Sequence, residues 1–309
     1  MESIKDIYTI GFGPSSSHTM GPQKAAEEFK KKYPHAELYK VILYGSLAAT
    51  GKGHFTDQAL YKVLGARKTT VEWKPEEYLP LHPNGMEFVA YFNKEELGRW
   101  KVFSVGGGTI RDEKNFYARE NDIYDMSTMQ ELLAFCDNTG RAFWEIVDIY
   151  EDSSIWDYLE TVWKAMKDAI FNGLNNEGVL PGPLRIARKA ASYNMKANNI
   201  GSILGGIGVA FSYALAVAEE NATGNTVVTA PTCGSAGVLP AVLLFLKHTY
   251  QISDTRIVRA IATAGLIGNI IKTNASISGA EVGCQGEIGT ACAMASGAAA
   301  QILGGSPAQ

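Results

Sequence analysis

Several features that define large functional classes are scarce in this 309-residue sequence. Lys and Arg together number 28 against 32 for Asp and Glu, giving a net charge of −4, and no Lys/Arg-rich block is present. A chain with this balance has no general attraction for nucleic acid or for an anionic membrane surface. We therefore expect neither nucleic acid nor a membrane among its partners.

Long apolar runs are missing as well. The segment nearest to membrane-spanning length, Asn199–Val217, is interrupted by glycines and polar residues, which favours a helix buried in protein rather than in lipid. The first residues, MESIKDIYTIGFG, lack the basic and apolar regions of a secretion signal. We therefore expect a cytoplasmic protein.

Cysteine is rare, with four in the chain: Cys136, Cys233, Cys284 and Cys292. Without a secretion signal, a disulfide framework is not expected, so each is core filler, a reactive thiol or a metal ligand. Cys233 precedes a predicted helix, which would lower its thiol pKa, but it can equally be a small buried residue. Cys292 lies in an Ala/Met run and is predicted to be core, whereas Cys284 lies on a predicted glycine-rich loop with acidic and amide neighbours.

The patterns that are present change character along the chain. Short alternating runs such as Trp100–Val105 predict strands in the first half, beside a helix over Lys24–Lys32. The second half opens on a long helical pattern, Glu151–Gly173, and continues in Ala, Gly, Ile and Leu, which suit closely packed helices. The predicted fold class is α+β, with an α/β domain over residues 1–148 and an all-α domain over residues 149–309.

The stretch GPSSSHTMGP concentrates small polar groups before the first predicted helix. Its hydroxyls can cap that helix. The same hydroxyls, with the exposed N–H groups of a helix start, can also bind a carboxylate or phosphate, and both interpretations can hold together. The candidate binding residues are Ser15, Ser16, Ser17 and Thr19, and His18 adds a group that exchanges protons near neutral pH.

Other candidates follow predicted strands. In GSLAATGKGH, Lys52 is followed by glycine and the glycine spacing is wrong for a phosphate-binding P-loop. His54 in this stretch is a possible base or part of a surface loop. Asn84, in the turn LHPNGMEF, is a turn-former or a ligand, and Gly106–Gly108 can turn sharply or approach a ligand.

Taken together, these stretches resemble a known family. The chain resembles the iron–sulfur-dependent L-serine dehydratases, or L-serine ammonia-lyases, in the form that joins the β and α regions in one chain. The resemblance rests on GPSSSHTMGP, GSLAATGKGH, LHPNGM and SVGGG in the first half and on VVTAPTCGSAGVLPAV and SISGAEVGCQGEIGTACAMA in the second. The resemblance implies a substrate-gripping first domain, a cluster-bearing helical domain and a homodimer. The implied reaction removes water from L-serine and yields pyruvate and ammonia.

The resemblance also implies roles for particular residues. Cys284, in GCQGE, matches one of three cysteines that hold a [4Fe–4S] cluster, whose open iron would act as a Lewis acid. His54 matches a histidine thought to take part in catalysis, and Ser15–Thr19 matches the serine-binding loop. Asn84 and Gly107 match the same cleft more loosely. Whether His18 or His54 is the base stays open at this point.

Two departures from the family pattern matter. Many relatives have Asn where this chain has Cys233, and the other two cluster cysteines lie in a continuation beyond the point where this sequence ends, at Gln309. We therefore expect a truncated chain, and a serine-binding regulatory protein without turnover is the alternative function. A pyridoxal phosphate enzyme is disfavoured, because Lys272 lacks an adjacent glycine-rich phosphate loop.

Overall fold

The computed structural model describes residues 1–114, 116–117, 122–200 and 203–309. Its first half is built on a mixed sheet with the strand order β3-β2-β4-β5-β6, in which β2 and β3 are parallel and the other neighbours antiparallel. The strands of the chain are β1 (Ile10–Phe12), β2 (Leu38–Tyr44), β3 (Thr69–Lys74), β4 (Gly85–Phe92), β5 (Glu95–Gly106), β6 (Thr109–Asp112) and β7 (Thr226–Val228).

Three helices accompany this sheet: α1 (Gly21–Lys32), α2 (Gly45–Thr50) and α3 (Thr56–Leu64). Pro22 stands in the first turn of α1 and three lysines in its last, as the geometry and dipole of a helix favour. Phe29 of α1 and Leu60 of α3 pack with Leu43 and Phe88 of the sheet, all at most 1% exposed. This core anchors the start of α1, where the serine-rich stretch lies.

The second half is helical. Its helices are α4 (Met129–Thr139), α5 (Phe143–Tyr150), α6 (Ser154–Asn175), α7 (Ala190–Asn198), α8 (Ile203–Ala222), α9 (Val238–Tyr250), α10 (Asp254–Asn274) and α11 (Gly279–Ile302). Among the described residues, no helix is long and apolar enough to cross a membrane. The predicted burial of the segment around α8 is wrong in part, since Ile207 and Phe211 are 62% and 56% exposed.

The first residues of the chain pack with the helices rather than with the large sheet. Ile4, Ile7 and Tyr8 are fully buried in the helical core, and the Tyr8 hydroxyl donates to the carbonyl of Ile261 at 2.8 Å. Strand β1 then pairs antiparallel with β7. The chain therefore leaves the helical core just before the serine-rich stretch, which lies where the two halves meet.

The α+β fold class is confirmed, with a mixed sheet in the first half and helices in the second. The domain boundary near residue 148 stays a prediction. Residues of α4 and α5, on its N-terminal side, contribute Leu132, Ile146 and Val147 to the helical core.

Candidate active site

The serine-rich stretch forms a π-helical turn, Ser16–Met20, that leads directly into α1. Ser15 caps it: its Oγ accepts from the His18 N–H at 3.1 Å, and its carbonyl accepts from the N–H groups of Thr19 and Met20. Single π-type turns are rare in helices and occur often at functional sites. The predicted cap is present, but on the π-helical turn rather than on α1.

His18 is buried inside this turn, and both of its ring nitrogens are engaged. Nε2 lies 3.2 Å from the carbonyl oxygen of Ser46, which can only accept, so Nε2 carries the proton. Nδ1 then accepts from the Ser17 hydroxyl at 2.8 Å. Burial, and to a lesser degree the nearby His54, lowers the pKa of His18 to about 4. His18 is therefore neutral near pH 7 and has no free lone pair.

His54 faces His18, with 4.8 Å between the ring centroids. It ends the 3-10 turn Gly51–His54, and its Nδ1 lies 2.9 Å from the carbonyl oxygen of Thr50. Nδ1 must donate to that oxygen, which leaves the lone pair of the neutral ring on Nε2. The ring is only partly buried. Of the two histidines, His54 has the arrangement that a general base requires.

Two threonines hold the histidine-bearing segments against each other. The Thr19 hydroxyl donates to the carbonyl of His54 at 2.7 Å, and the Thr56 hydroxyl donates to the carbonyl of His18 at 2.5 Å. Because each bond crosses from one segment to the other, the relative position of the two rings is fixed from both sides.

The turn that contains Asn84 adjoins this histidine pair. The carbonyl of Pro83 accepts from the Ser46 N–H at 3.0 Å, next to the His18 contact. Asn84 is fully buried. Its side-chain Nδ2 donates to the backbone carbonyl of Ser104 at 3.2 Å, and its backbone carbonyl accepts from the Ser104 N–H at 3.1 Å. Asn84 is thereby fastened to the end of β5.

The three glycines after β5 bring the sheet against the second half. Gly106, Gly107 and Gly108 have φ angles of 104°, 61° and 86°, which residues with a Cβ rarely adopt. A Cβ on Gly106 would lie 3.3 Å from Cα of Ser278, and one on Gly107 would lie 3.3 Å from the Pro231 carbonyl oxygen. This close approach places the N-terminal end of α11 at one side of the cleft.

A second contact joins the same elements. His82 Nε2 lies 3.4 Å from Glu281 Oε1 in the first turn of α11. Cys284 follows three residues later, immediately after Gly283, where the helix is kinked at φ 70°. Hydrogen bonds and close approaches therefore link Ser15–Thr19, His54, Asn84 and the glycine turn into one contiguous region, and Cys284 lies on the helix that begins beside that turn.

Sequence reasoning missed some residues of this cleft. Ser46 lies eight residues before His54, and Ser104 lies two residues before the glycine turn in SVGGG. Their proximity to predicted site residues is a signal that could have identified them. Glu281 lies three residues before Cys284, but its contact with His82 spans about two thirds of the chain and has no such local signal.

Comparison with known proteins decides the family. The family model described as "Serine dehydratase alpha chain" matches residues 36–309. "L-serine dehydratase 1" of Escherichia coli is 38% identical, over the whole of this chain and 80% of that protein. The chain belongs to the L-serine dehydratase family. "L-serine dehydratase" proteins of Haemophilus influenzae and Streptomyces coelicolor are each 36% identical over 80% of their length, covering 100% and 99% of this chain.

Membership of the L-serine dehydratase family makes the chain an enzyme of the lyase class. The family resemblance also raises the question of a metal. In the parts of the chain that the structure describes, no group of three or more His, Cys, Asp or Glu residues is arranged to hold a metal ion. Cys284 and Cys292 are both exposed, but they stand eight residues apart on α11, about 12 Å along a helix.

The cysteines differ from the sequence predictions in three respects. Cys292 is exposed, so its predicted place in the core is wrong. Cys284 belongs to α11 rather than to a loop, because the helix resumes after the kink at Gly283. Cys233 is fully buried beside Met20, and burial raises the pKa of its thiol well above the usual range. The described residues thus offer one exposed thiol near the start of α11 and do not by themselves fit a three-thiolate cluster.

Proposed function

We propose that this chain eliminates water from L-serine in the cleft between its two halves. The observation that carries the proposal is the histidine pair: two facing rings with opposite tautomers, one fully hydrogen-bonded and one with an available nitrogen. The names of its relatives, which are L-serine dehydratases, support serine as the substrate.

The serine-rich turn is suited to the substrate carboxylate. The N–H groups of Ser16 and Ser17 belong to the first turn of a helix, where backbone donors have no intrahelical acceptor. The Ser15 hydroxyl can add a further donor, whereas the Ser17 and Thr19 hydroxyls already donate to His18 Nδ1 and to the His54 carbonyl and help to shape the turn. Backbone donors and the positive end of the helix together favour an anion at this position.

His54 is the proposed base. Its Nε2 takes the Cα proton of the bound serine, and the Cβ–O bond breaks, so that proton and hydroxide leave as water. The aminoacrylate that forms tautomerises to an imine, and hydrolysis of the imine yields pyruvate and ammonia. A positioned base contributes about 10²–10⁴-fold to such a step. His18 stays neutral and holds Ser17 and Ser46 in place.

Cys284 is the proposed ligand of a [4Fe–4S] cluster, which the family resemblance implies. The rest of the ligand set is not supplied by the described residues, and the roles of His54 and the serine-rich turn do not depend on it. The second candidate function is a regulatory protein that binds serine without turning it over.

One experiment separates the two functions. The chain is reconstituted anaerobically with iron and sulfide, and iron content, L-serine binding by calorimetry, and pyruvate and ammonia formation are measured on one sample. Equimolar pyruvate and ammonia, lost in His54→Asn, are expected for the dehydratase. The Asn side chain keeps a donor for the Thr50 carbonyl but lacks the base. Serine binding without product, with or without iron, would overturn the elimination and leave the regulatory function.

A further inference from the structure

Two hydroxyl groups at the cleft make no hydrogen bond within the described residues. Seven buried side-chain atoms lack a hydrogen-bond partner there, although His82 Nε2 has the ion-pair contact with Glu281; they belong to His82, Asn84, Ser104, Glu219, Asn221, Asn269 and Ser278. In five of these residues another polar atom of the same side chain is hydrogen-bonded. Only Ser104 and Ser278 have side chains that are bonded to nothing in the described chain, and both are fully buried.

These two serines and Asn84 lie at the same end of β5. Asn84 is joined to Ser104 by two hydrogen bonds, and Gly106, two residues beyond Ser104, touches Ser278. A Cβ on Gly21 would collide with Ser104 Oγ, so that hydroxyl points at the start of α1, beside the serine-rich turn. Ser104 Oγ therefore lies beside the proposed carboxylate site, and Asn84 and Ser278 adjoin the same end of β5.

A buried polar group without a partner costs about 1–3 kcal/mol. Unpaired groups of this kind are explained by a catalytic role or by a bound water or ion, so these two serines and the asparagine are candidates for contact with a ligand. Asn84 Oδ1 can only accept, because Nδ2 is committed to the Ser104 carbonyl. Serine hydroxyls can accept as well. Asn84 Oδ1 therefore requires a donor, and a donor with several hydrogens could satisfy all three oxygens at once.

The charges nearby favour a cation. Glu281 brings a carboxylate to His82 at the edge of this group, and burial lowers the pKa of His82, which disfavours a positive ring. A carboxylate ligand would be repelled by Asn84 Oδ1, because the oxygens of both groups are negatively polarised. An ammonium group, which offers three N–H donors, complements three oxygen acceptors.

We propose that Asn84 Oδ1, Ser104 Oγ and Ser278 Oγ form an ammonium pocket that receives the α-amino group of the substrate. This inference rests on the proposed function and adds two residues to it, one from each half of the chain. The carboxylate is held at the serine-rich turn and the ammonium group at this pocket. Specificity for an α-amino acid therefore requires α11 to be docked on the sheet.

The test compares ligands with and without the amino group in Ser278→Ala and Ser104→Ala. Affinities for L-serine and for 3-hydroxypropionate, which lacks the amino group, are measured by calorimetry. Each substitution is expected to weaken L-serine binding about tenfold or more, as for hydrogen bonds to charged groups, and to leave 3-hydroxypropionate unchanged. An equal effect on both ligands, or none on L-serine, would overturn the pocket.

Two further measurements keep the test decisive. L-Alanine is a third ligand, which keeps the amino group and lacks the hydroxyl, so Ser278→Ala must weaken L-alanine binding by the same factor as L-serine binding, and a smaller effect on L-alanine would contradict the pocket. The melting temperature of Ser278→Ala is expected to stay equal or rise, since an unpaired hydroxyl is removed. The matched control is Ser212→Ala, also buried, whose hydroxyl is bonded to Val209 and Asn194; it should lower the melting temperature and leave serine binding unchanged.

Failure of the pocket and failure of the proposed function give different results. Serine binding that depends on Ser278, without pyruvate, supports the pocket and contradicts the elimination. Pyruvate formation, with both ligands weakened equally by Ser278→Ala, supports the elimination and contradicts the pocket.

Discussion

Two buried polar regions of this molecule have opposite properties. In the helical half, Glu220 accepts from Arg188 at 2.6 Å and from Asn176 and Asn225, in an ionic cluster that we call the Arg188 cluster. Its two charged side chains are 7% and 2% exposed. In the ammonium pocket, by contrast, neutral oxygens lack donors within the described residues. Buried polar groups that have partners are compatible with stability. Buried polar groups without partners lower stability, and they are expected where a ligand completes the hydrogen bonding.

The largest expected effect lies in the Arg188 cluster. Glu220→Gln leaves the Arg188 guanidinium buried without its charged partner, and we expect a loss of about 3–5 kcal/mol in the free energy of unfolding. Urea unfolding measures it. The control is Lys164→Ala, which breaks the exposed pair with Asp168 and should have no measurable effect. An equally small change in the free energy of unfolding of both variants would contradict the stabilising role assigned to the Arg188 cluster.

The next effect concerns acid stability at the cleft. The pKa of His18 is about 4 in the folded chain and near 6.5 when unfolded. Between those pH values the unfolded chain binds a proton that the folded chain does not, so stability falls with decreasing pH, by about 3 kcal/mol in total. Above pH 6.5 His18 contributes no pH dependence.

His18→Gln tests this titration, because Gln can still donate to the Ser46 carbonyl. Urea unfolding from pH 7 to pH 4 should show a shallower loss of stability in this variant than in the unmodified protein. Identical slopes for the two proteins would mean that His18 does not titrate as its burial requires.

A smaller effect is expected at the glycine turn. Gly107→Ala places a Cβ at φ 61°, costing about 1–2 kcal/mol, and brings it 3.3 Å from the Pro231 carbonyl oxygen. Gly140 has a similar φ of 70°, but no described heavy atom lies within 4 Å of a Cβ built there. Gly140→Ala should therefore show the backbone cost alone, and only Gly107→Ala should weaken serine binding. Equal losses of stability and equal serine affinities in the two variants would show that the glycine turn has no part in the site.

Much of the fold follows from local sequence patterns. Alternation predicts β4 and β5, and charged and small residues before Pro34 predict α1. The places where prediction failed depend on distant contacts. Ile4 and Tyr8 join the helical core through partners more than 200 residues away, such as Ile261, and no local pattern carries that information.

Sequence motifs predict candidate site residues, but they do not predict how those residues are arranged. Motifs identify His18 and His54, yet their tautomers depend on the carbonyls of Ser46 and Thr50, which only the folded chain brings into contact. Burial of Cys233 likewise raises the pKa of its thiol, whereas its place before a helix predicts a lowered pKa. Ser278 lies against Gly106, and no local sequence pattern predicts this contact between distant parts of the chain.

The most direct test of the elimination follows the Cα proton of L-serine. L-Serine is incubated in D₂O with the reconstituted protein and with His54→Asn, and deuterium at Cα and pyruvate formation are both monitored by NMR. The account predicts proton loss, seen as exchange or pyruvate, in the unmodified protein, and neither in His54→Asn, although that variant still binds serine. Undiminished proton loss in His54→Asn would contradict the assignment of His54 as the base.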